Sequence, residues 1–252
     1  MVSIVMPAYN SAKYIDAAIQ SVLHQSFSDW ELIIIDDCSN DETFDIAFSY
    51  ANLDKRISVL HNDNNIGVSS SRTKGISLAT GEWIAFLDSD DLWRYDKLEK
   101  QLSFAMNSDA ALIYTGSSFI DELNKPLDYT MHVPARVNYA NLLKGNVIPC
   151  SSVMIMRSVM QRYPMAGDYM HEDYTCWLQF LKDFPYAFGI DEPLLTYRIS
   201  KTSKSAKRYR SAKMLFNSYR HIGYNPIYAS LLTLQYMSYS IKKHYLIRHG
   251  RS

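Results

Sequence analysis

Three carboxylates, Asp88, Asp90 and Asp91, follow directly on the apolar run Trp83-Ile84-Ala85-Phe86-Leu87. Like charges packed so closely repel one another unless a cation joins them. Hard oxygen donors in a small group suit Mg²⁺ or Mn²⁺, with substrate phosphate oxygens completing the shell. The local alternative is that Asp90 or Asp91 caps a helix starting near Leu92. Two further polar sets end apolar runs in the same way: Pro7-Ala8-Tyr9-Asn10 and Asp36-Asp37. An aromatic ring such as Tyr9 can stack on a planar base, and a carboxylate accepts from a ring N–H. Read singly, Tyr9 packs on the first helix and Asp36 or Asp37 caps a turn. Read together with the Asp88 group, the three sets make a nucleotide site. Arg72 and Lys74 add cations that reach a phosphate or the Asp88 group, or else line a solvated first turn. His171-Glu172-Asp173 stands ahead of Tyr174, Trp177, Leu178 and Leu181, where acids also simply favour a helix N-terminus.

Bringing these residues together requires a sheet. Ser3–Pro7, Trp30–Ile35, Ile57–Leu60 and Glu82–Leu87 read as short buried strands. Between them Lys13–His24, Asp41–Tyr50 and Ser69–Ala79 read as helices, the first with Tyr14, Ile15, Ala18, Ile19, Val22 and Leu23 at helical spacing. Lys97–Met106 reads as another helix and Ala110–Tyr114 as another strand. The alternation predicts an α/β fold with a doubly wound, mainly parallel, Rossmann-like sheet. In such sheets ligands bind beyond the carboxyl ends of the strands, where all three polar sets fall. Neither G-x-G-x-x-G after the first strand nor G-x-x-x-x-G-K-[ST] occurs, which excludes the dinucleotide fingerprint and the P-loop. After Tyr114 the pattern loosens. Val147–Met156 reads as a loop followed by a strand, Tyr174–Leu181 as a helix, and residues 208–220 and 226–245 as two closing helices. The serine-rich, basic stretch from Ile199 to Lys207 reads as a mobile loop.

With 252 residues, 47% of them hydrophobic, the chain supports one large domain with a substantial core. Its net charge of zero conceals an asymmetry. Residues 1–192 hold 14 Lys+Arg and all 26 Asp+Glu, whereas residues 193–252 hold 12 Lys+Arg and no acid. A basic tail interleaved with Leu, Ile and Tyr fits an anionic membrane surface, or else two helices packed on the domain with their cations in water. No nucleic-acid motif accompanies the charge, so no nucleic-acid partner is expected. Cys38, Cys150 and Cys176 form no disulfide framework and point to a reducing compartment. With no signal-peptide pattern and no run of about 18 apolar residues, a cytoplasmic protein is expected.

The segments Ser3-Ile4-Val5-Met6-Pro7-Ala8-Tyr9-Asn10, Glu31–Ser39, Asn65-Ile66-Gly67 and Ala85–Asp91, in this order, resemble glycosyltransferase family 2. The resemblance covers about residues 2–198 and implies the GT-A fold and a nucleotide-diphospho-sugar donor. It implies a catalytic domain over 1–198, divided into a donor half (1–114) and an acceptor half (115–198), followed by the basic loop and helices of 199–252. By the same resemblance Pro7, Ala8, Tyr9 and Asp37 hold the base, usually uracil. Arg72, Ser89 and Arg198 belong to the donor site, and Asp88, Asp90 and Asp91 form the D-x-D region that carries Mn²⁺ or Mg²⁺. His171-Glu172-Asp173-Tyr174 with Trp177 is similar to the family's E-D motif, which makes Asp173 the general base. Thr73 departs from the family, which often has Asn there. Ile148–Met154 and Asp191–Arg198 resemble the bacterial polysaccharide branch. That branch implies an inverting transfer of glucose or galactose from a UDP-sugar to a polyprenyl-diphosphate-linked saccharide, at the inner face of the cell membrane. Two rivals remain: a sugar-phosphate nucleotidyltransferase, which would carry a glycine-rich basic loop where Pro7-Ala8-Tyr9-Asn10 stands, and a non-catalytic nucleotide-sugar-binding module.

Overall fold

The computed structural model describes residues 1–165, 167–199 and 208–249. Residues 200–207, most of the expected mobile loop, lie outside the described residues. The first half alternates as expected. It runs β1 (Val2–Ala8), α1 (Ile15–Leu23), β2 (Trp30–Asp36), α2 (Thr43–Leu53), β3 (Ile57–His61), α3 (Val68–Leu78) and β4 (Trp83–Phe86). Then come β5 (Leu92–Trp93), α4 (Lys97–Met106), β6 (Leu112–Ile120), β7 (Pro126–Met131), β8 (Arg136–Val137) and α5 (Tyr139–Leu142). A 3₁₀ turn at Cys150–Ser152 leads into β9 (Met154–Met156), α6 (Arg157–Met160), α7 (Glu172–Asp183), β10 (Ala187–Arg198), α8 (Arg208–Ile222) and α9 (Pro226–His249).

One sheet runs in the order β3-β2-β1-β4-β9-β6-β10-β5, with β7 paired to β6 and β8 to β10. The β1–β2, β2–β3, β1–β4 and β6–β10 pairs are parallel, whereas β9 runs antiparallel to both β4 and β6. Strand periodicity divides the core between two faces. Val2, Ile4, Met6, Leu32, Ile34 and Ala85 meet α1, α2 and α4 on one side. Val5, Ile33, Ile35, Ile84 and Phe86 meet α3 and α7 on the other. Helices therefore cover both faces, which is why β1 and β2 read as continuous apolar runs.

Three differences from the sequence reading have physical causes. β1 continues through Pro7 to Ala8. β4 has ended opposite Val5, so Pro7 lacks that neighbour and needs no donor toward it. Leu92-Trp93 is a strand paired with β10, and no helix starts there for Asp90 or Asp91 to cap. β10 interrupts its apolar alternation with Asp191-Glu192-Pro193, and its register with β6 shifts on either side of Pro193.

α3 lies close on the sheet. A Cβ built on Gly75 would stand 2.5 Å from Val5 Cγ1 and 3.5 Å from Ile35 Cγ1. Val5 is β-branched and stiff, so neither partner yields cheaply. Gly75→Ala gains about 1 kcal/mol of helix propensity but overpacks the core at a cost of about 1–3 kcal/mol. A lowered urea midpoint is expected; an unchanged or raised midpoint would show that α3 can lift from β1.

Candidate active site

Strand register assembles the site. Ala8 pairs with Asp36 and Asp36 with His61, so the ends of β1, β2 and β3 are level. Phe86 lies opposite Val5, and the Leu87 amide donates to the Val5 carbonyl at 3.1 Å. The chain therefore leaves β4 for Asp88 beside Pro7 and Ala8. Tyr9 follows β1 half exposed rather than packed on α1.

Asp36 and Asp37 are both buried and hold different partners. Asp36 accepts from the Ser39 hydroxyl and amide and pairs with His61 Nδ1 at 2.7 Å. Asp37 accepts from Asn62 Nδ2 and the Ile66 amide on Oδ1, both at 2.9 Å, and from the Gly67 amide on Oδ2 at 2.8 Å. An ionised carboxylate offers about four acceptor positions, so Oδ2 retains capacity for a ligand N–H. The turn after them carries Cys38 at φ 62°, and Gly67 adopts φ 88°, where an added Cβ would collide with the Asp168 carboxylate. Lys74 donates to Asn62 Oδ1 at 2.7 Å and thus braces this turn rather than the acid loop.

The acid loop is tied down at each residue. The Asp88 amide donates to Ser151 Oγ at 3.0 Å, and Asp88 Oδ1 accepts from Arg72 Nη2 at 2.5 Å. Arg198 closes the other side: its amide donates to Asp91 Oδ1 at 2.9 Å and its Nε to the Asp90 carbonyl at 2.7 Å. Its Nη1 donates to the Asp121 carbonyl and Asn124 Oδ1 in the β6–β7 turn, and its guanidinium lies 4.4 Å from the Tyr14 ring centre. Burial, and then the charge of Asp88, pushes Asp90 up to about 6. Burial and the charges of Asp90 and Asp88 hold Asp91 well above the usual range, and its Oδ2 is buried without a hydrogen-bond partner. Ser89 is buried between them.

Arg72 reaches a second acid. Its Nη1 donates to Glu172 Oε1 at 2.8 Å, so one buried guanidinium joins the acid loop to the start of α7. Asp173 is the next residue, half-buried in the same field. Its pKa is raised, by burial first and by Glu172 second, while Arg72 acts in the other direction. α7 holds this place because its inner face is buried, with Trp177 6.2 Å from Phe86 at the end of β4.

Sequence reasoning missed the partners that set this geometry. Glu172 was read only as part of a motif, and Ser151 only within Ile148–Met154. Ser151 is fixed by its carbonyl accepting from Trp93 Nε1 at 2.7 Å. Gln101 donates to the Ser152 carbonyl and accepts from the buried Lys97 ammonium at 2.6 Å. Asp168, over Gly67 and the Ser69 amide, carried no sequence signal.

The donor set suits a hard divalent cation: three carboxylates, two of them raised by burial and by neighbouring acids, and one orphaned buried oxygen. Among the described residues no three His, Cys, Asp or Glu side chains already converge as a finished shell. Asp91 is turned to the Arg198 amide and Asp88 shares one oxygen with Arg72, which leaves Asp90 as the least engaged of the three.

Two measurements test this electrostatic arrangement. Removing one partner of a buried ion pair costs about 3–5 kcal/mol, so Arg72→Met should destabilise on that scale in urea. Arg72→Met/Glu172→Met should recover part of the loss; no recovery would mean that the pair is not coupled. Asp90 binds its proton more tightly in the native state (about 6 against 3.8), so the native state holds more protons than the unfolded chain between those values. Its contribution to stability therefore worsens as pH rises through that window. In EDTA, Asp90→Asn should be more stable than the parent at pH 7, and the gap should close as the pH falls toward about 4. A gap independent of pH would remove the assigned strain.

Comparison with known proteins follows the same lines. The model of the family described as "Glycosyl transferase family 2" matches residues 3–162. The chain is 38% identical over 244 residues to a putative teichuronic acid biosynthesis glycosyltransferase, TuaG, of Bacillus subtilis, covering 96% of this chain and 97% of that one. It is 33% identical over 246 residues to the UDP-Glc:alpha-D-GlcNAc-diphosphoundecaprenol beta-1,3-glucosyltransferase WfgD of Escherichia coli, covering 97% and 95%. Among solved structures it superposes on S. aureus TarS 1-349 in complex with UDP-GlcNAc with a TM-score of 0.74 at 18% identity, covering 99% and 74% of the two chains. It also superposes on the mannosyltransferase PcManGT of Pyrobaculum calidifontis, in complex with GDP-Man and Mn²⁺, with a TM-score of 0.70 at 16% identity, covering 94% and 69%. These two likenesses bear on the fold, which is that of the GT-A glycosyltransferases. Strand ends, acid loop and sequence relatives agree: the chain belongs to glycosyl transferase family 2, within the bacterial polysaccharide glycosyltransferases.

Proposed function

We propose that the protein is a divalent-metal-dependent, inverting hexosyltransferase. It moves glucose or galactose from a UDP-sugar to a hydroxyl of a polyprenyl-diphosphate-linked saccharide during cell-surface polysaccharide synthesis. The observation that carries the reading is the Arg72 bridge, which keeps Asp173 beside the acid loop where a donor diphosphate would lie. The donor and acceptor are suggested by the name of WfgD, a UDP-Glc:alpha-D-GlcNAc-diphosphoundecaprenol beta-1,3-glucosyltransferase.

In this reading the uracil stacks on exposed Tyr9, above Pro7 and Ala8, and donates its ring N–H to the spare position on Asp37. Asp88 and Asp90 would hold Mn²⁺ or Mg²⁺ with donor phosphate oxygens, and Asp91 would support them from beneath. Such an ion supplies Lewis-acid stabilisation of the leaving diphosphate. Asp173 takes the proton from the acceptor hydroxyl as its oxygen bonds to the anomeric carbon and the bond to the UDP oxygen breaks. One displacement from the opposite face inverts the anomeric configuration. Burial beside Glu172 raises the basicity of Asp173 above that of a surface carboxylate, while Arg72 opposes the rise. Arg198, expected in the donor site, has a positioning role in this reading, because its guanidinium already holds the Asp90 carbonyl, the β6–β7 turn and Tyr14. Among the described residues no helix is long and apolar enough to cross a membrane.

Asp173→Asn should lower turnover by about 10²–10⁴-fold, the usual worth of a positioned base, while the thermal shift given by UDP with Mn²⁺ stays near that of the parent. Turnover within a fewfold of the parent would refute the base assignment.

A further inference from the structure

α9 is apolar on two opposite faces. One face is packed: Ala229, Leu232 and Ile247 are buried, and Tyr236 meets Tyr174 with ring centres 5.3 Å apart. The other carries Ile227, Leu231, Leu234, Ile241 and Tyr245, exposed to 77, 57, 67, 49 and 63%. Their spacing of four, three, seven and four residues keeps them in one stripe along the 24-residue helix, with exposed Ser238 filling the gap. Scattered surface apolar residues need no explanation, but a continuous stripe over most of a helix marks an interaction surface. A helix apolar on every side is normally covered on every side.

We infer that this stripe lies in the interface of an anionic bilayer, with α9 parallel to the membrane surface. The charge of this end of the chain selects that partner. Residues 193–252 contain no acid, and Arg210, Lys213, Arg220 and Lys242 are exposed cations on α8 and α9. Lys242 immediately follows the stripe residue Ile241, and Arg220 holds the Tyr224 carbonyl at the turn into α9. Two copies paired through the stripe would offer Lys242 no Asp or Glu on the other α9, whereas paired helices normally set such charges against acids. Anionic headgroups supply the missing charge, at about 1 kcal/mol per cation near the surface. The helix lacks the apolar length to cross, which leaves lying along the surface.

The contact would also orient the active site. α9 packs on β7, β7 pairs with β6, and the turn between β6 and β7 holds Arg198 and through it the acid loop. The proposal rests on α9 alone and does not depend on the assignment of donor or base.

The test is co-sedimentation of the full chain with phosphatidylglycerol/phosphatidylcholine vesicles and with pure phosphatidylcholine vesicles, beside light scattering for oligomeric state. The parent should bind the anionic vesicles and release at high salt. Leu231→Ser/Leu234→Ser/Ile241→Ser alters only exposed positions. It should weaken partitioning by at least about tenfold, since burying one such side chain is worth about 1.5–3 kcal/mol. Lys242→Glu should weaken anionic binding and leave the melting temperature unchanged. Failure of the parent to bind anionic vesicles, or equal binding by the triple variant, would overturn the inference. So would a parent dimer that the triple substitution splits, since the stripe would then be an interface between copies.

Discussion

A single buried guanidinium sets the relation between the two chemical halves of the site. Arg72 comes from α3, Asp88 follows β4 and Glu172 opens α7, so three elements meet on one cation. Burying Arg72 is costly in itself, and the acids around it, Asp88 and Glu172 with Asp173 beside them, offset that cost; its Nε still has no partner. The position of Asp173 follows, because it adjoins Glu172 at the same helix end. With Arg72 shared between Asp88 and Glu172, the carboxyls of Asp90, Asp91 and Asp173 are only partly compensated. Burial raises all three, which is how excess negative charge in low dielectric expresses itself.

Arg198 plays the complementary part on the far side of the acid loop. Where Arg72 uses its side chain on two carboxylates, Arg198 gives its amide to Asp91 and its side chain to carbonyls, an amide oxygen and an aromatic face. The loop from Asp88 to Asp91 is therefore fixed at both ends by groups distant in sequence, with Ser151 adding a third anchor. Rigid elements on three sides place the acids more exactingly than a free loop would, and placement matters most for groups that must meet a reacting centre.

Much of this frame was legible in the sequence, and the reason is periodicity. Buried strands such as Ser3–Pro7 and Trp30–Ile35 announce themselves as apolar runs, and their polar ends mark the sheet edge. β10 was not legible, because Asp191-Glu192-Pro193 breaks its alternation. Glu192 is there to pair with Arg94 and Lys100, partners about 90 residues away that no local pattern reveals. For Arg72 the sequence left a phosphate and the Asp88 group both open, and its second acid had no signal: Glu172 lies 100 residues off. For α9 a window of sequence reports the sum of two apolar faces, and only packing tells the covered one from the exposed one.

The acid loop also shows why a purely structural account of it fails. Asp91 accepts one amide hydrogen through Oδ1, a task that an amide oxygen performs without placing a charge in low dielectric. Asp90 holds the chain through its carbonyl, for which the side chain is irrelevant. Neither carboxyl is required by the bonds that fix its own backbone, yet both are raised by burial, Asp90 also by Asp88 and Asp91 by Asp90 and Asp88. A sequence consistent at every level would not place them so; where local consistency is broken without a local gain, the compensation lies in a function. At the edge of this sheet, beside a half-exposed tyrosine and a carboxylate with one free acceptor position, the proposed divalent cation would supply that compensation.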